Sequence, residues 1–101
     1  MDKNEIINRI NFFRSKANLS ARALSNKIEV NDGYINRLES KRDFLPSIDV
    51  LLNIIQACGI TCEQFFYDDI SDYDNDKKLL NLLKTLPSEK KEYLIKFLSS
   101  N

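Results

Sequence analysis

Apolar positions recur at helical spacing along almost the whole chain, and no run alternates with the period of two that a strand requires. Ile6, Ile10, Phe13 and Ala17 fall on one stripe, which predicts a first helix capped by Asn4. The step from Asn18 to Leu19 interrupts that stripe. Ser20 is a good N-cap for a short second helix over 20–28, which carries Leu24 and Ile28 on one face. Asn31 caps a third helix over 31–40, with Asp32 in its first turn and Tyr34, Ile35 and Leu38 pointing inward. Phe44, Leu45 and Pro46 form a connector, because proline drives the residue before it out of the helical region. Ser47 caps a fourth helix, apolar at Ile48, Leu51, Leu52, Ile54 and Ile55 and stopped by Gly59. Thr61 with Gln64 makes a capping box for a short fifth helix ending in Phe65 and Phe66.

The pattern then changes. Residues 68–76 hold Asp68, Asp69, Asp72, Asp74 and Asp76, the composition of a solvated linker. Beyond it Leu79, Leu80, Leu82, Leu83 and Leu86 predict one helix. Leu86, Pro87 and Ser88 stop that helix and cap a last one bearing Tyr93, Leu94, Ile95, Phe97 and Leu98. The expectation is an all-α chain: a five-helix domain over 1–67, an acidic linker over 68–76 and a helical hairpin over 77–101.

Composition narrows the chemistry. A chain of 101 residues, 43% hydrophobic and 30% charged, holds one globular domain and a short appendage. It contains no histidine, and its two glycines, Gly33 and Gly59, are too few for a phosphate-cradling loop. No nucleophile–base pair is assembled in the sequence, so the reading is a non-enzyme with no cofactor. Cys58 and Cys62 leave a tetrahedral metal site half-filled and read as two small apolar residues; no metal is expected. The uncharged stretch from Val50 to Cys62 is too short to span a bilayer. Residues 1–5 (MDKNE) lack the apolar run of a secretory signal, so a cytoplasmic protein with no membrane partner is expected.

Net charge is zero, but it is unevenly laid out. Residues 1–42 carry nine Lys/Arg against five acids, and residues 43–101 carry six against ten. A basic first part and an acidic second part point to a polyanion-facing half.

The helices over 20–28 and 31–40 are joined only by Glu29 and Val30, which forces a steep crossing with Leu24, Ile28, Ile35 and Leu38 between them. That is helix-turn-helix geometry. The stretch LSARALSNKIEVNDGYINRLES, followed by LPSIDVLLNIIQACGITCEQFF, resembles the Cro/lambda-repressor-type helix-turn-helix family of bacterial and phage regulators. The match is carried by Leu19, Ser20, Leu24, Tyr34, Ile35, Leu38, Glu39, Pro46, Ser47, Leu51, Ile54, Ala57, Phe65 and Phe66. It departs from the family at Ala21, where Gln is frequent, at Ser25, where Ala is usual, and at Ser40-Lys41, where Gly is common. Glu29 replaces the usual turn Gly, so a side-chain-bearing residue must adopt a left-handed conformation.

The resemblance implies double-stranded DNA as partner, a regulatory role as a repressor, and a role for each matching position. Asp32, Gly33, Asn36 and Arg37 would face base edges, where Arg takes guanine and Asn takes adenine bidentately. Ser20, Ala21, Arg22, Lys27, Asn31, Lys41 and Arg42 would meet phosphates. Arg14 and Glu39 stand at the separation of the family's structural ion pair. Asp32 has a plainer reading, an acid that suits a helix dipole. The leucine-rich tail adds a homodimer interface of Leu79, Leu82, Leu83, Leu86, Tyr93, Leu94, Phe97 and Leu98, matching the two-fold symmetry of inverted-repeat operators; its rival is a hairpin folded back on its own domain. The rival functional class is a helix-turn-helix module that holds a protein partner, an antitoxin or adaptor, with weak or no specific DNA binding.

Overall fold

The computed structural model describes residues 1–100, all of whose regular structure is helical: seven α-helices and, among the described residues, no strand. The helices are α1 (Lys3–Lys16), α2 (Ala21–Lys27), α3 (Tyr34–Lys41), α4 (Ile48–Ala57), α5 (Cys62–Phe65), α6 (Tyr73–Lys84) and α7 (Ser88–Ser99). The chain divides into two compact units, one over residues 1–66 and one from Tyr67 onward. No helix among the described residues is long and apolar enough to cross a membrane.

The first unit is built from capped helices. Ser20, Ser47 and Thr61 each accept a hydrogen bond from the backbone N–H three residues on, satisfying an otherwise orphaned donor. The first helix starts earlier than the Asn4 expectation. Asp2 is its cap, accepting from the Glu5 N–H at 2.9 Å. Three helices end in the same way, with a left-handed residue just past the C-cap. Asn18, Glu29 and Gly59 (φ 58°, 60° and 73°) occupy that position after α1, α2 and α4. At each, paired backbone bonds close a Schellman motif, for example Glu29 N–H to Asn26 O and Val30 N–H to Ser25 O after α2.

The core of this unit is Ile7, Ile10 and Phe13 from α1, Leu24 from α2, Ile35 and Leu38 from α3, Leu51, Ile54 and Ile55 from α4, and Phe65 from α5. Each buried side chain of this size contributes on the order of 1.5–3 kcal/mol. The α1 stripe keeps the expected Ile10 and Phe13 and differs at its ends. Ile7 is fully buried, whereas Ile6 and Ala17 are half-buried. On α4 the inward face is Leu51, Ile54 and Ile55, which leaves Ile48 and Leu52 exposed. Phe13 and Phe65 pack with ring centroids 5.8 Å apart, and Arg9 Nη1 donates to the Phe65 carbonyl at 2.7 Å, tying α5 to α1.

The second unit is two helices and their approach. The acidic stretch is not all connector, because Tyr73–Asp76 form the first turn of α6. Asp74 and Asp76 lie there at the positive end of the helix dipole. The Tyr67 hydroxyl donates to Asp76 at 2.6 Å, and its ring stands edge-on to buried Tyr73 at 5.2 Å. Within the Leu86-Pro87-Ser88 segment Pro87 occupies the N-cap of α7, since its extended ψ of 151° leaves Ser88 as the first helical residue. The α7 helix buries no residue.

Candidate functional site

The tightest packing in the first unit lies between α2 and α3. Their connection runs over residues 28–33 rather than Glu29 and Val30 alone. The chain leaves α2 through the Schellman motif at Glu29 and makes one more turn before α3. That turn is shaped by Asn31, whose side-chain oxygen accepts from the Gly33 N–H at 3.0 Å and whose carbonyl accepts from the Tyr34 N–H at 2.9 Å. Asn31 therefore organises an Asx turn and is not the cap of α3. Asp32 sits in this turn, ahead of the helix and not in its first turn.

Gly33 is the N-cap of α3 and offers no side chain to its free N–H groups. The deficit is met from the neighbouring helix. Ser25, fully buried on α2, donates its hydroxyl to the Ala21 carbonyl at 2.8 Å and accepts from the Ile35 N–H at 3.1 Å. One buried oxygen thus joins the helices at their crossing. Where Ala is usual the hydroxyl of Ser25 is the signal, because a buried hydroxyl needs a polar partner.

A second polar anchor fixes the other end of α3. Arg14 on α1 grips the Glu39 carboxylate with both edges, Nε to Oε2 at 2.8 Å and Nη2 to Oε1 at 2.7 Å. Both side chains are largely buried, at 15% and 12% exposed. Arg14 Nη1 also donates to the Leu19 carbonyl, and Asn11 donates to Glu39 Oε1. The hydrogen bond to Glu39 raises the Arg14 pKa above its ordinary value against the opposing effect of burial.

With Ile35 and Leu38 inward, α3 turns Asn36, Arg37 and Ser40 outward, with Gly33 just before them. Asn36 is exposed and, among the described residues, its side chain makes no bond to another side chain. The Arg37 guanidinium lies over the Phe44 ring, 5.3 Å from its centroid, and Tyr34 meets the same ring edge-on at 5.5 Å. Burial raises the Tyr34 pKa, and the charge of Arg37 works against the shift.

The cations expected to meet phosphate are differently disposed. Arg22 pairs with Asp32 at 3.3 Å on the surface, both well exposed. Lys27 donates to the Ala57 carbonyl at 3.0 Å, capping the C-terminus of α4. Arg42, itself left-handed with φ 56°, folds back to donate to the Glu39 carbonyl. Lys41 is exposed in the last turn of α3. Ser20 spends its hydroxyl on its own helix and Ala21 is half-buried. The structure gathers Arg22, Asp32, Gly33, Asn36 and Arg37 around the turn and outer face of α3, while Lys27 is directed to α4.

In the second unit Leu79, Leu82, Tyr93, Phe97 and Leu98 are more than half exposed, whereas Leu83, Leu86 and Leu94 are half-buried. A groove between α6 and α7 is lined by Leu80, Leu83, Leu94 and Leu98, flanked by Lys84 and Lys91. Cys58 is buried and Cys62 exposed; both are free thiols, and burial pushes the Cys58 pKa up. No family model, no curated protein and no solved structure matches this chain.

Proposed function

We propose that this protein is a sequence-specific DNA-binding regulator of transcription, a repressor acting as a homodimer on an inverted-repeat operator. In this reading α2 and α3 form a helix-turn-helix of the Cro/lambda-repressor type, and α3 enters the major groove. The observation that carries it is the outer face of α3. Its inner face is fixed by Ile35, Leu38 and the anchors from Ser25 and Arg14, while Asn36 and Arg37 project outward with donor groups suited to adenine and guanine edges. Exposed leucines and aromatics of α6 and α7 supply the apolar area for pairing two copies. Selection of binding sites from random duplex DNA at stated salt tests the proposal. An enriched inverted repeat supports it, and no enrichment at low salt overturns it.

One observation favours a second class. Arg22 is neutralised by Asp32 and Lys27 is engaged by α4, which leaves this surface less cationic than its composition suggests. That suits a module that holds another protein. DNA affinity falling steeply with rising salt separates the two, because only phosphate neutralisation releases counterions.

A further inference from the structure

Phe44 belongs to the connector after α3, and two side chains of α3 converge on it. Tyr34 presses edge-on at 5.5 Å with its ring inclined 69°, which fixes the plane of Phe44. The Arg37 guanidinium then lies over this half-buried ring, 5.3 Å from its centroid. A guanidinium can stack and hydrogen-bond at once, because stacking uses its flat face while its N–H groups point outward in the plane. An acid in place of Phe44 would occupy that N–H edge; an aromatic face leaves it unspent. Among the described residues the Arg37 side chain makes no ion pair or hydrogen bond, unlike those of Arg14, Arg22 and Arg42.

We infer that Phe44 is a positioning residue for DNA readout: it holds the Arg37 guanidinium by cation–π stacking so that the N–H edge is presented ready to pair with a guanine. This rests on the DNA-binding reading above. Long side chains lose rotamer freedom on binding, and a guanidinium already held on a ring has less to lose. The effect falls on discrimination at one base pair rather than on general affinity for DNA. Tyr34 supports it one contact further out, by fixing the ring.

The test uses the full chain and two DNA probes, the selected site and the same site changed at the base pair where Arg37→Ala loses discrimination. Phe44→Leu keeps an apolar side chain but removes the π face. It is expected to reduce discrimination at that pair by about two- to fivefold, the range of an exposed cation–π contact converted at tenfold per 1.4 kcal/mol. Phe44→Tyr is expected to retain it, and Phe44→Leu in the Arg37→Ala background to change nothing further. Should Phe44→Leu not fold, Phe44→Met carries the same comparison. Unchanged discrimination in folded Phe44→Leu or Phe44→Met, or an equal loss with Arg37 already absent, overturns the inference. If Arg37→Ala itself alters discrimination nowhere, base reading fails and the positioning role with it. The NMR shift of the Arg37 Nε–H in the free protein, displaced by loss of the ring current in Phe44→Leu, then shows the stack to exist without reading.

Discussion

The Ser25 hydroxyl and the Ile35 backbone N–H meet at 3.1 Å in the interior of the first unit, so the start of α3 is capped by a side chain of α2. The helix begins at Tyr34 after a glycine with nothing to offer, and the cap arrives from the helix it packs against. Secondary structure and crossing geometry are therefore one interaction at this point. Ser25→Ala strands a buried N–H and should destabilise by about 1–3 kcal/mol. Chemical denaturation checks it, and a midpoint equal to or above wild type would count against the bond having this role.

Glu39 receives two bonds from Arg14 and one from Asn11. Glu39→Ala leaves the Arg14 guanidinium largely buried and uncompensated, so the cost should exceed the roughly 0–1 kcal/mol of a surface pair and approach about 3 kcal/mol. Glu39→Gln retains an acceptor and should cost less. Thermal melts of the two variants give the order, and equal stability for Glu39→Ala and wild type would refute the account.

Arg22 and Asp32 hold each other 3.3 Å apart where DNA is proposed to bind. Asp32→Ala frees the guanidinium, so affinity for random duplex DNA should rise and the log-affinity against log-salt slope should steepen by about one contact. Arg22→Ala should flatten it. If Asp32→Ala instead weakens binding and relaxes preference at a single base pair, Asp32 reads a base and the ion pair is incidental.

These features differ in how far local sequence could reveal them. Ser20, Ser47 and Thr61 cap helices within their own four residues, so spacing alone exposes them. The left-handed Glu29 follows equally from a tight turn with no glycine available. The start of α3 was misplaced because Asn31 bonds two residues on, to Gly33, and an Asx turn uses the same residue type as an N-cap. The start of α6 was hidden because Asp74 and Asp76 suit a linker as well as a first helical turn. Lys27 and Arg22 read as free cations because their partners, Ala57 and Asp32, are brought to them by the fold. Phe44 was invisible for the same reason.

The second unit begins at Tyr67, so a chain ending at Phe66 removes it without cutting a helix. That shortened chain should fold and run as a monomer, while the full chain runs as a dimer. Light scattering and circular dichroism together decide. A monomeric full chain removes the exposed α6 and α7 leucines from the assembly.

Tyr67 donates to Asp76, and this bond is the largest cause of its pKa being pushed up to about 12 from an ordinary 10. A raised pKa means the folded chain holds the phenolic proton longer than the unfolded one. Its contribution to stability is thus present in full below pH 10 and lost as pH rises toward 12. Near-ultraviolet titration should show, besides the raised Tyr34, a tyrosine ionising near 12 that vanishes in Tyr67→Phe and moves earlier in Asp76→Asn. An unchanged curve in Asp76→Asn would rule out the bond as the cause.

Three corners of the first unit turn on Asn18, Glu29 and Arg42, all left-handed and all bearing side chains. Each costs the folded chain about 1–2 kcal/mol of crowding that glycine would avoid. Glycine at the same place would also widen the range of shapes open to the unfolded chain, an opposing effect of about 0.4–1 kcal/mol. Glu29→Gly and Asn18→Gly therefore trade relief in one state against freedom in the other, for a net gain between about 0 and about 1.6 kcal/mol. A chain with only two glycines keeps its unfolded ensemble narrow, and the stiffness of these corners is felt before any helix has formed.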